Sequence, residues 1–246
     1  MDKNAIGVFD SGVGGLTVLS DLIDHFPNEN FIYLADTKNN PYGLKTKEEL
    51  ESIVSTNVNY FINENVKAIV IACNTASANS YHLKTNIPII RIIEPTAKYA
   101  QQIGKNILVL ATDYTISSGI YQHLLNKATG VKCSKFVGIV EKGMMGTKDS
   151  YEIVERVLSK YKGKYDTIIL GCTHFGLLKD EIISVLGNVN IVDSSLTLSP
   201  ILNNYIKLNS QKERGKVIIN TTGNPKDLKI DWFKKKYDKL SQIILN

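Results

Sequence analysis

AIVIACNTAS (residues 68–77) returns later in the chain as TIILGCTHFG (167–176). In each, an unbroken apolar run ends on a small residue, then a cysteine, then two residues able to hydrogen-bond. Apolar runs without alternation fit strands buried on both faces, as in parallel sheets. The two belong to a series of such runs at 5–9, 31–35, 67–72, 88–93, 106–111, 135–140, 166–170 and 189–192. The stretches between them read as helices. Thr46 with Glu49 forms a capping box ahead of a helix over 47–63, and Asn224-Pro225 reads as an N-cap followed by a first-turn proline. Strands alternating with helices predict an α/β fold with mainly parallel sheets.

Working outward from the repeated segment, the chain reads as folded over on itself. One half runs strand, Asp10, strand, Asp36, strand, Cys73; the other runs strand, Thr112, strand, Glu141, strand, Cys172. This predicts two pseudo-symmetric α/β lobes, residues 1–93 plus 207–246 and residues 94–206, with the turnover near Ile93–Pro95. In open α/β sheets ligands bind beyond the carboxyl ends of strands, where Asp10, Cys73, Thr112, Glu141 and Cys172 are all expected. Facing lobes would gather them into one cleft, with a thiol on either side of a bound molecule.

Composition narrows the classes. The 246 residues are 43% hydrophobic and 22% charged, the balance of an ordinary soluble globular protein. No apolar run approaches the roughly 20 residues of a membrane span, and the N-terminal residues lack a signal-peptide pattern. Three cysteines, two of them after buried-looking strands, argue for free thiols in a reducing cytoplasm rather than a disulfide framework. The net charge of +5 is modest, and the one basic run, Lys234-Lys235-Lys236 beside Trp232 and Phe233, reads as the solvated face of a C-terminal helix rather than a nucleic-acid footprint.

A cysteine is among the most buried residue types, so each thiol alone is as readily core as catalyst. The pair tips the balance, since Asn-Thr follows one and Thr-His the other. Thiols titrate near 8.5 and act as bases only where a local field favours the thiolate. Asp10 is placed to relay a proton near one thiol, and His174, oriented by Glu141, near the other. Gly12-Val13-Gly14-Gly15 lacks dinucleotide or P-loop spacing and reads as a turn offering N–H groups to a carboxylate. Cys-x-His is not a common zinc spacing and no fourth ligand stands out, so no metal is expected.

At these residues the chain resembles the bacterial glutamate racemases of the aspartate/glutamate racemase superfamily. The matching segments are FDSGVGGLTVL (9–19), YLADT…PYG (33–43), ACNTAS (72–77), EP (94–95), LATDYTISSGIYQ (110–122), GIVEKG (138–143), GCTH (171–174) and VDS (192–194). The resemblance implies that Cys73 and Cys172 are the two catalytic bases, Cys73 taking the α-proton of D-glutamate and Cys172 that of L-glutamate. It implies supporting proton-transfer roles for Asp10, Glu141 and His174. Ser11, Tyr42, Gly43, Asn74, Thr75, Thr173 and His174 would then hold the substrate, together with Asp10, and Thr112 and Thr115 are weaker candidates. It further implies no cofactor, a homodimer, and D-glutamate made for peptidoglycan. The chain departs from the pattern at Lys38-Asn39-Asn40, at Phe175-Gly176 and at Arg91.

Two alternatives share the fold or drop the chemistry. One is racemisation of aspartate or another amino acid, or a single-cysteine decarboxylation, against which the second cysteine counts. The other is a non-catalytic regulatory protein, which would be free to lose a thiol or Asp10 and here has kept both.

Overall fold

The computed structural model describes residues 5–209 and 212–245. Ten strands among these residues form two separate sheets. They are β1 (Ile6–Asp10), β2 (Phe31–Ala35), β3 (Ala68–Ile71), β4 (Ile89–Arg91), β5 (Ile107–Ala111), β6 (Ala128–Lys132), β7 (Thr167–Gly171), β8 (Asn190–Asp193), β9 (Val217–Thr221) and β10 (Lys239–Gln242). The first sheet has the order β10-β9-β2-β1-β3-β4 and the second β6-β5-β7-β8. All strand pairs are parallel. Four strands of the first sheet, β2-β1-β3-β4, therefore repeat in order the four strands of the second, and β9 and β10 extend the first sheet beyond β2. Cys73 and Cys172 each follow the third strand of their unit.

Among the described residues nine α-helices connect and cover the strands: α1 (Leu16–His25), α2 (Lys47–Asn63), α3 (Asn74–Ala78), α4 (Ile93–Ile103), α5 (Asp113–Ser117), α6 (Ile120–Leu124), α7 (Ser134–Glu141), α8 (Lys148–Leu158) and α9 (Lys179–Leu186). The capping box of α2 forms as the sequence predicts, with Thr46 accepting from the Glu49 N–H and Glu49 from the Thr46 N–H. One apolar cluster under α1 and α4 contains Val8 and Val70 of the first sheet with Val109 and Ile169 of the second, so both sheets share a core. Two further clusters fill the outer faces, one under α2 and one under α7, α8 and α9. Among the described residues no helix is long and apolar enough to cross a membrane.

Two expectations are corrected. The run 135–140 is helix α7, not a strand: Phe136, Ile139 and Val140 are its buried residues, spacing that fits a helix face. The strand paired with β5 is instead β6, an edge strand in which only Val131 is fully buried. Glu141 consequently ends a helix rather than a strand, and the residue after the second strand of that unit is Cys133. Among the described residues the expected C-terminal helix is also absent. Asn224-Pro225 opens only a short 3-10 turn, Pro225–Asp227. Beyond it Leu228 and Phe233 enter the core from irregular chain, and Lys235 meets Asp24 at 2.5 Å.

Candidate active site

The carboxyl ends of both sheets border a cavity of about 390 Å³. Cys73 and Cys172, 6% and 7% exposed, both line it. Parallel strands bring them there: β3 lies beside β1, so Cys73 emerges next to Ser11, and β7 lies beside β5, so Cys172 emerges next to Thr112. The Cys73 thiol points at the Ser11 hydroxyl, 3.9 Å away.

The two thiols have unlike neighbours. Burial, and then the Asp10 carboxylate, raise the Cys73 thiol well above its ordinary value, while the N–H groups of Ala76 and Ser11 oppose them. Asp10 itself is fully buried behind the cavity wall. It accepts from the Gly12 N–H at 3.0 Å and the Thr173 hydroxyl at 3.2 Å. Burial raises its carboxyl too, chiefly by desolvation and against the pull of His174. The glycine turn thus offers an N–H to the chain's own carboxylate. Its glycines are needed for closeness: a Cβ on Gly14 would lie 2.5 Å from Thr173 Oγ1 and 2.7 Å from His174 Nδ1.

Cys172 faces an imidazole instead. Its sulfur lies 3.7 Å from His174 Nδ1, and Nε2 of the same ring lies 2.8 Å from Glu141 Oε1. Burial disfavours a charge on His174, but hydrogen bonds to Cys172 and Glu141 outweigh it and raise the ring from 6.5 to about 10. The same contact, led by the hydrogen bond from His174, holds the Glu141 carboxyl below its ordinary value. A protonated ring donates from both nitrogens, one to the carboxylate and one to the sulfur.

This coupling predicts a pH dependence of stability. A group whose folded pKa is raised stabilises fully below its unfolded value and loses that contribution as pH climbs through the folded one. For His174 the window runs from 6.5 to about 10. The thermal midpoint of the wild type should fall more steeply across that window than that of His174→Gln. Parallel curves for the two proteins would show that the ring carries no extra proton.

Most of the other expected residues also reach the cavity. Ser11, Tyr42, Gly43, Asn74, Thr75, Thr112, Thr173, His174 and Glu141 line it, whereas Asp10 and Thr115 do not. Asn74 is oriented by the Tyr121 hydroxyl at 2.7 Å and by Ser194 at 3.1 Å. Thr75, Thr112 and Thr115 close a triangle of hydroxyls at 2.8, 3.2 and 2.9 Å, joining the two sheets' loops. Tyr42 lines the cavity, and its hydroxyl is engaged elsewhere, donating to Asp36 at 2.5 Å. Tyr42 and Gly43 begin a 3-10 turn, where N–H groups have no partner within the turn.

Sequence reasoning missed Asn40, Ser134, Val137 and Gly138, all of which line the cavity. Asn40 donates to Glu141 at 3.3 Å, and its place just before Pro41-Tyr42-Gly43 was the available signal. The other three sit on α7, whose apolar run 135–140 reads as a strand in sequence.

The Asp/Glu/hydantoin racemase family matches residues 24–198. The chain is similar to the glutamate racemase of Aquifex pyrophilus, 40% identical over 211 residues, covering 82% of this chain and 83% of that protein. Its structure is similar to that of glutamate racemase from Thermus thermophilus in complex with β-chloro-D-alanine, with a TM-score of 0.90 and 31% identity over 99% of this chain and 98% of that one. The glutamate racemase of Francisella tularensis in complex with D-glutamate superposes with a TM-score of 0.90 at 29% identity, over 100% and 98%. Two thiols facing one cavity from equivalent strand ends, in a chain with these relatives, mean that it belongs to the Asp/Glu/hydantoin racemase family.

Proposed function

We propose that the protein interconverts L- and D-glutamate without a cofactor, with Cys73 and Cys172 as the two bases. The observation that carries this reading is the presence of both thiols in one cavity, each after the third strand of a repeated four-strand unit. A thiolate on one side takes the α-proton, leaving its electron pair on the α-carbon. The thiol on the other side delivers a proton to the opposite face, and the configuration inverts. Asp10 serves Cys73 as proton acceptor, and His174, steadied by Glu141, serves Cys172. Backbone N–H groups at Tyr42 and Gly43, with the hydroxyls and amide of Ser11, Asn74, Thr75 and Thr173, are suited to the two carboxylates and the amino group. Donors aimed at a carboxylate stabilise the charge that develops on it as the α-proton leaves.

Glutamate as the substrate rests on the relatives' names and on the GCTH motif at 171–174. A homodimer that makes D-glutamate for peptidoglycan is what the motif resemblance implies, and three free cysteines fit the cytoplasm. Purified protein mixed with L-glutamate alone should bring the circular dichroism of the solution to zero, before and after dialysis against EDTA. An unchanged signal would overturn the proposal, and loss of activity on chelation would overturn its cofactor independence.

A further inference from the structure

We infer that Asp36 is a positioning residue that sets the height of the Tyr42–Gly43 backbone at the cavity wall and so tunes substrate binding from outside the site. This deepens the proposed function and rests on it. Asp36 follows β2, is fully buried and does not line the cavity. Its backbone N–H donates to the Asp10 carbonyl at 3.0 Å, which places it one strand away from the Cys73 side of the site.

Every side chain around its carboxylate is a donor. The Tyr42 hydroxyl donates to Oδ2 at 2.5 Å and the Thr222 hydroxyl to Oδ1 at 2.8 Å. The Asn39 amide reaches both oxygens at 3.1 and 3.0 Å, and the Asn57 amide reaches Oδ2 at 3.4 Å. Asn57 also donates to the Tyr42 hydroxyl at 2.8 Å, which leaves that hydroxyl its own proton to give to Asp36. Burial and Asp36 push the Tyr42 phenol well up, in keeping with a permanent donor. Only an acceptor-only group satisfies this set, since an amide would turn its own N–H groups against at least one donor.

The anchoring extends to the far strand. Thr222 accepts from the Lys38 N–H at 3.0 Å, and Thr37 shares a hydrogen bond with Thr221 at 2.8 Å. The segment 37–44 is thus hung between β2, α2 and the end of β9, with Asp36 as the common acceptor. Tyr42 lines the cavity while its hydroxyl is held by that acceptor, so on this inference a shift at the carboxylate is passed to the neighbouring N–H groups.

The test compares Asp36→Asn, Tyr42→Phe and the double variant. Asp36→Asn should raise the KM for both enantiomers of glutamate by about tenfold or more, with kcat within about threefold of wild type, the pattern of lost binding that is common to ground and transition states. Tyr42→Phe keeps the ring and should shift KM in the same direction, so the inference stays decidable if Asp36→Asn does not fold. The double variant should be no worse than Asp36→Asn alone, because both remove one linkage. The glutamate concentration that half-protects the thiols from iodoacetamide should rise by the same factor as KM. An active wild type whose Tyr42→Phe and Asp36→Asn variants keep its KM, or lose kcat alone, overturns the inference. A wild type that neither racemises glutamate nor is protected by it overturns the functional reading and this inference together.

Discussion

Cys73→Ser and Cys172→Ser should each lose racemisation by about 10³-fold or more, while each still labilises the α-proton of one enantiomer. Inversion needs one sulfur as thiolate and the other as thiol, so neither variant completes it. Removing a proton from one face needs only the sulfur on that side. Both side chains are almost fully buried at the edge of the same cavity, and serine nearly matches cysteine in size, so folding should survive. A glutamate carrying a leaving group on C3 separates the half-reactions. The proton goes to the thiolate, the electron pair left on the α-carbon expels the leaving group, and no second base takes part. Cys73→Ser should eliminate faster from the L-form than from the D-form, and Cys172→Ser the reverse. Equal damage toward both enantiomers in both variants would mean that one cysteine only fills the core.

Asp10→Asn is the second large effect, a fall in kcat of about 10²- to 10⁴-fold with little change in melting temperature. The carboxylate touches no part of the cavity surface, so it acts on Cys73 through the wall. Its charge raises the thiol, and removing it should let Cys73 alkylate at lower pH even as turnover collapses. That combination separates a proton acceptor from a structural prop. Asparagine can still accept from the Gly12 N–H, which is why folding should hold. Turnover within about threefold of wild type, or a variant that does not fold, would place Asp10 outside the proton path.

Most of the fold was legible because its inner strands are apolar at nearly every position, Asp10 apart: IGVFD, FIYLA, AIVI and ILVLA are buried throughout β1, β2, β3 and β5. The misreadings fall where that signal weakens. KFVGIV is a short apolar run that fits either period, and its true partner in the sheet, ATGVK, is an edge strand with a single buried side chain. The stretch from Leu228 to Phe233 carries enough apolar residues for a helix but not its spacing, and it packs as irregular chain. At the cavity, the motif residues announced themselves by type and place. Asn40 did not, because nothing in a lone asparagine says that a glutamate 101 positions away will take its hydrogen bond. Asp36 was visible as a strand end, but its four donors come from α2, β9's end and its own loop, which only the folded chain brings together.

The unlike neighbours of the two equivalent sulfurs, a carboxylate at Cys73 and an imidazole at Cys172, have a thermodynamic consequence. Mirror-image isomers have equal free energies in water, so a catalyst that interconverts them must run with identical kcat/KM in the two directions. The broken symmetry of the protein cannot bias the product ratio. It can only divide that shared constant unequally: whichever enantiomer turns over faster must bind more weakly by the same factor. The chiral environment therefore decides which form of the amino acid dominates on the enzyme, and has no say over which dominates in the cell.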